Sequence, residues 1–180
     1  FTFLYMYRID VFSDWKMILL MSIIMLIQML LAYLIINYFQ FSEYLVPVSV
    51  GALTLTILFD ARIGFMSTVA VSILVGLMMG QNIDFVISSL FISTVGVYNI
   101  RELRKRSQLF TTMFALIGAS IIVIIAIGLF KEHSWAKIIF DIQILTLNSF
   151  LAPIVTYGLI GLTEMVFEVT TDLTLIELLD

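Results

Sequence analysis

Charged and strongly polar residues divide the chain into six apolar stretches, residues 17–36, 45–59, 63–79, 85–100, 109–130 and 138–162. Within them apolar side chains fill every helical face rather than one stripe. That is the pattern of helices surrounded by lipid or by other helices, not of amphipathic helices on a soluble core. A hydrocarbon layer about 30 Å thick needs about twenty helical residues to cross it. Residues 45–59 and 85–100 are short by that measure, so they are expected to bury their ends in protein or to end on interfacial aromatics. The pair flanking "DAR", residues 60–62, reads either as two crossings or as a re-entrant dip; both return the chain to the side it left.

The first seven residues, "FTFLYMY", supply too short an apolar run for a crossing before Arg8. They read as the tail of a preceding helix, and they lack the basic start and small-residue cleavage site of a signal peptide. The expected fold is therefore all-α: a polytopic transmembrane helical bundle over residues 1–166, six helices plus the end of a preceding one, with a separate segment at 167–180.

Composition reinforces this. Of 180 residues, 62% are hydrophobic and 12% charged, against roughly a quarter charged in ordinary soluble domains. The formal charge of -4 changes little, and the absence of cysteine removes disulfide and metal-thiolate chemistry from consideration.

The distribution of basic residues sets an orientation. Alternating the loops collects Arg8, Lys16, Arg62, Arg101, Arg104, Lys105 and Arg106 on one side, seven in all, and Lys131 and Lys137 on the other. Lys and Arg are retained on the cytoplasmic side, so the first side and the carboxyl terminus are expected in the cytosol. Tyr5, Tyr7, Trp15, Tyr38, Tyr44, Tyr98 and Trp135 fall near stretch ends, where aromatic rings sit at headgroup level.

Few residues carry candidate chemistry. Small residues recur at every fourth place along the third stretch, Gly64, Thr68, Ser72, Gly76 and Gly80, and Ala115 and Ala119 repeat the spacing later. Such a ridge lets backbones approach closely and holds bundles together in lipid, or it can wall a ligand cavity; the first use is the commoner. Asp60 and Arg62 form a candidate interfacial pair, with Asp60 alternatively capping the next helix while Arg62 snorkels. Asp141 and Asn148, seven apart, share a helix face. With Gln143 and Gln28 they form a candidate intramembrane polar track, for interhelical bonding or for a ligand.

"RELRKR", residues 101–106, is explained by topology, with contact to anionic lipid or a cytosolic domain as the alternative. His133 is the single histidine, and no grouping resembles a metal site or a nucleophile triad. Catalysis within this chain is not expected.

After Glu164 the pattern changes. Thr170, Thr171 and Thr174 offer caps, and "TLIE", residues 174–177, fits a capping box that opens a new helix. Glu164, Phe167, "TTDLTL" at residues 170–175 and Glu177 resemble the juncture between membrane bundle and catalytic domain in bacterial seven-transmembrane receptors with an intracellular HD hydrolase. "EYLVPVSVGALTLTILFDAR", with Pro47, Asp60 and Arg62, is similar to an earlier signature of that family. A proline is expected shortly before Glu164, where this chain has Gly161, Leu162 and Thr163.

The resemblance implies a parent protein of the bacterial cytoplasmic membrane with an extracellular sensor domain upstream and an HD phosphodiesterase downstream. That enzyme would cleave cyclic di-AMP with a divalent metal pair; no cofactor is expected in this part. Glu164, Thr171, Asp172 and Glu177 would belong to the coupling segment. The implied partners are the bilayer, the parent chain's own extracellular and HD domains and, as a candidate, a second copy in a homodimer; nucleic acid is not among them. The rival reading is the substrate-binding membrane subunit of a small-molecule (vitamin) importer, and a third is a purely structural anchor.

Overall fold

The computed structural model describes residues 15–101 and 107–167, and among these the regular structure is all helical, without strands. The helices are α1 (Trp15–Tyr33), α2 (Val48–Leu58), α3 (Ala61–Met78), α4 (Ile83–Ile100), α5 (Ser107–Phe130) and α6 (Trp135–Phe167). A π-helical turn, Leu34–Tyr38, extends α1, and a 3-10 turn, Glu43–Leu45, precedes α2. Arg8, the "FTFLYMY" stretch, residues 102–106 and the Thr170–Glu177 capping pattern lie outside the described residues.

Five helical segments are long and apolar enough to cross a membrane. Their outer faces are apolar, as a lipid-facing surface should be: Phe110, Phe114 and Ile122 on α5, Leu26 and Leu30 on α1, and Ile154 on α6 are all more than half exposed. The chain is a multi-pass membrane protein.

The second stretch, residues 45–59, is different. α2 has eleven residues, about 16 Å of helix, and every residue from Val48 to Thr56 is buried. It is the hub of the bundle, packed on α3, α4, α6 and α1. Leu53 and Leu55 are completely buried, and Leu53 joins Ile92, Ile100 and Leu116 in the main apolar core. α2 and α3 are linked through Phe59 and Asp60. Because α3 is 18 residues long, about 27 Å, the first turn of α2 lies roughly midway along it.

Residues 43–47 complete the distance in a 3-10 turn followed by extended Val46 and by Pro47. Glu43 Oε1 accepts from Asn82 Nδ2 at 3.1 Å, which ties this segment to the α3–α4 turn. The stretch 43–58 is therefore a crossing whose first part is unwound, rather than one uninterrupted helix. Pro47 explains the break: it has no N–H to offer a preceding carbonyl, and its ring obstructs a helix upstream.

The small-residue ridge divides between two neighbours. A side chain at Gly64 would collide with Thr56 and the Ala52 carbonyl of α2, and one at Gly76 with Val86 of α4; Thr68 and Ser72 between them are buried. Gly80 is a correction to that ridge. It lies past the end of α3 with φ 73° and open space around it, so it serves the turn, where a left-handed backbone suits glycine. Of the second spacing, Ala119 is buried and Ala115 is partly so.

Asp60 acts as a cap: its Oδ1 accepts from the backbone N–H of Arg62 at 2.7 Å and of Ile63 at 2.9 Å, while the Arg62 side chain is exposed. Trp15, Tyr38, Tyr98 and Trp135 are exposed, as interfacial aromatics should be. Tyr44 is the exception at 7%; its ring turns into the bundle. Tyr98 also receives the Arg101 guanidinium 4.4 Å above its ring.

Candidate functional site

The unwound backbone in the middle of the bundle is where the polar side chains meet. Lipid offers no hydrogen bonds, so a non-helical carbonyl at this depth must find a protein partner. The 3-10 turn at Glu43–Leu45 would pass the Tyr44 carbonyl to the N–H of residue 47, which proline lacks. Asn148 on α6 supplies the missing donor: its Nδ2 reaches the carbonyls of Tyr44 at 2.8 Å and Val46 at 3.1 Å. From the opposite side Gln28 on α1 donates from Nε2 to the carbonyls of Pro47 at 3.3 Å and Val48 at 3.1 Å. Two side-chain amides, 120 residues apart in sequence, thus hold one irregular segment between them.

Further contacts bind α6 to α2. Thr156 Oγ1 donates to the Val50 carbonyl at 3.3 Å, one α2 turn beyond the unwound stretch. Along the same face Ser149 and Ser120 of α5 share a hydrogen bond of 2.5 Å. The side of α6 that faces the interior is therefore polar at Asp141, Asn148, Ser149 and Thr156, all less than a tenth exposed.

The structure brings Gln28 and Asn148 to the same segment and places Asp141 nearer the Glu43 end of the bundle, within electrostatic reach of Lys137, Glu43 and His133. Gln143 is not with them: two residues on from Asp141, it is exposed on another face of α6. Lys131 Nζ meets Asp84 at 2.6 Å at that same end. Of the coupling residues, Glu164 falls in the last turns of α6, and Thr171, Asp172 and Glu177 lie outside the described residues.

Sequence reasoning missed two features. One is Gly51, where an added side chain would occupy the space of the Gln28 amide. The other is the π-turn, in which the Phe39 N–H reaches back to the Leu34 carbonyl at 2.9 Å before Gln40 turns the chain with φ 52°. A glycine four residues after a proline, inside a stretch too short to cross, is the signal that could have revealed the first. The second left no readable mark.

Two spaces adjoin these elements. A small space of about 20 Å³ lies at the start of α2, with Ser49, Ser93 and Asn148 beside the apolar Phe85, Ile92 and Leu145 in its wall. A larger space of about 330 Å³ between α5 and α6 is lined by Leu109, Phe110, Met113, Pro153, Ile154 and Tyr157. Phe110 and Ile154 are more than half exposed, so it is an apolar groove open on the lipid-facing side.

No group of three or more His, Asp or Glu side chains converges among the described residues, and the whole chain has one histidine. These residues do not fit a divalent metal pair.

No curated protein and no solved structure matches the sequence. The family profile described as 7TM receptor with intracellular HD hydrolase does, over residues 1–171. A match across so much of the chain, on a bundle of apolar helices, settles the grouping: this chain belongs to the family of seven-transmembrane receptors with an intracellular HD hydrolase.

Proposed function

We propose that this bundle is the transmission element of a membrane receptor, converting a signal received outside or within the bilayer into a change in a cytoplasmic HD-type phosphodiesterase that degrades cyclic di-AMP. The observation that carries this reading is the set of hydrogen bonds from α6 to the unwound segment and the start of α2, Asn148 to Tyr44 and Val46, and Thr156 to Val50. α6 runs to Phe167 with Pro153 inside it, where one helical hydrogen bond is missing and the helix can bend. A movement of residues 43–50 therefore moves α6, bends it at Pro153 or breaks these bonds.

In this reading the Asp60 end of the bundle faces the cytosol, in keeping with the basic residues there, and the protein resides in the bacterial cytoplasmic membrane. The last turn of α6, with Glu164, and the tail beyond it, with Thr171, Asp172 and Glu177, form the coupling segment that meets the hydrolase. The metal pair belongs to that hydrolase, as does all the catalysis. A signal acts only if it binds the two packings of the bundle with different affinity.

The importer-subunit reading asks for a pocket of several hundred Å³ with a few converging polar groups. The α5–α6 groove has the volume, but among the described residues Tyr157 carries the one polar side chain in its wall, so the transmission reading is preferred.

The test is a helix-phase experiment on the full-length parent protein. One alanine inserted after Leu162 rotates everything downstream by about 100°, whereas seven alanines restore the phase to within about 20°. Under this reading the single insertion alters cyclic di-AMP hydrolysis and the seven-residue insertion largely restores it. Identical hydrolysis in all three proteins would refute it.

A further inference from the structure

The cavity of about 20 Å³ lies at the start of α2. α2 opens on Pro47, with no side chain capping it. A helix start leaves backbone N–H groups without intrahelical partners. Those of Val48 and Val50 turn back to the carbonyls of Val46 at 2.9 Å and Pro47 at 3.2 Å, and Ser49, between them, lines the cavity. Opposite, Ser93 of α4 lines it too. Ser93 is 1% exposed, and its Oγ has no hydrogen-bond partner in the protein.

An unpartnered buried hydroxyl costs about 1–3 kcal/mol, and at Ser93 the adjoining space offers room for a partner that would relieve it. The space is sufficient: one water needs about 10–15 Å³ measured in this way, together with two to four polar partners. The wall provides hydroxyls at Ser49 and Ser93, the amide of Asn148 and the positive end of α2.

We propose that this cavity is a hydration site holding a single water molecule, bonded to Ser93 and to the first turn of α2, as a fixed part of the unwound crossing. The inference is independent of the signalling role. With it, each irregularity around Pro47 has a partner: Asn148 and Gln28 serve the carbonyls, and the water serves the donor side of the α2 start.

Ser72 supplies the comparison. Its hydroxyl is also buried and without a partner, but it does not line this cavity. Removing a hydroxyl that bonds nothing relieves the protein, whereas removing one that bonds a buried water orphans that water. The experiment is the thermal unfolding midpoint of the full-length protein in lipid nanodiscs, for Ser93→Ala and for Ser72→Ala. A lower midpoint for Ser93→Ala than for Ser72→Ala supports the water; an equal or higher one overturns it. A density map resolving waters elsewhere in the bundle gives a second reading. A peak at hydrogen-bonding distance from Ser93 Oγ supports the site, and a featureless cavity overturns it.

Discussion

The side-chain amide of Gln28 lies against Gly51, in the space that a methyl group on Gly51 would fill. Gln28 can reach the Pro47 and Val48 carbonyls only because residue 51 has no side chain. Sequence neighbours thus fix the geometry twice: Pro47 breaks the helix, and Gly51 admits the group that repairs the break.

Gly51→Ala should therefore destabilise the protein although alanine is the better helix former. The gain of about 1 kcal/mol in propensity is outweighed by losing both Gln28 hydrogen bonds and leaving its buried amide without them, about 1–3 kcal/mol for an unsatisfied buried group; the Pro47 carbonyl keeps its bond from the Val50 N–H. The check is the thermal unfolding midpoint in nanodiscs. Gln28→Ala in the same chain should recover part of the loss, because the collision is gone.

Asn148→Asp should be more damaging than its near-identical shape suggests. The side chain would turn acceptor oxygens toward the carbonyls of Tyr44 and Val46, which now receive its N–H groups. Double-mutant cycles on membrane helices average about 0.6 kcal/mol per interhelical hydrogen bond. Two lost bonds plus the repulsion should cost at least about 2 kcal/mol, measurable as reduced unfolding free energy. A protein as stable as the parent would remove Asn148 from its role as donor.

The crossings were legible in the sequence because lipid enforces them: residues 17–36, 63–79, 85–100, 109–130 and 138–162 each lie within or nearly coincide with a helix. The interior of the bundle was harder to read. Gln28 and Asn148 stood out as polar residues in apolar runs, but their partners are backbone carbonyls, which every residue has and no sequence pattern marks. Asp141, Gln143 and Asn148 looked like one group, yet helical phase separates Gln143 from the others by turning it outward. Gly80 continued a four-residue spacing that the helix itself does not, because α3 ends at Met78. Pro47 was visible, and the shortness of its stretch was the clue to an unwound crossing.

Asp60→Ala should weaken the α2–α3 turn by about 1 kcal/mol, the usual cost of losing a helix N-cap. Asp60→Asn should keep most of that stability, because its carbonyl oxygen can still accept from the Arg62 and Ile63 amides. Chemical unfolding of the two variants checks this; equal losses would mean that the charge, not the cap, matters.

Lys131→Ala should change stability by less than about 1 kcal/mol. Its pair with Asp84 is short, but the Lys131 side chain is 46% exposed, and exposed ion pairs contribute little and are screened by salt. A larger loss that persists in high salt would show that this pair holds the Glu43 end of the bundle together.

The account rests on α6 being linked through Asn148 to the unwound crossing and onward to the hydrolase. The most direct measurement compares cyclic di-AMP hydrolysis by the full-length protein in native membranes with that of Asn148→Leu and of Gln143→Leu, an exposed site on the same helix. The account predicts that Asn148→Leu shifts the rate severalfold while Gln143→Leu leaves it at the parent value. Equal rates in all three would contradict it.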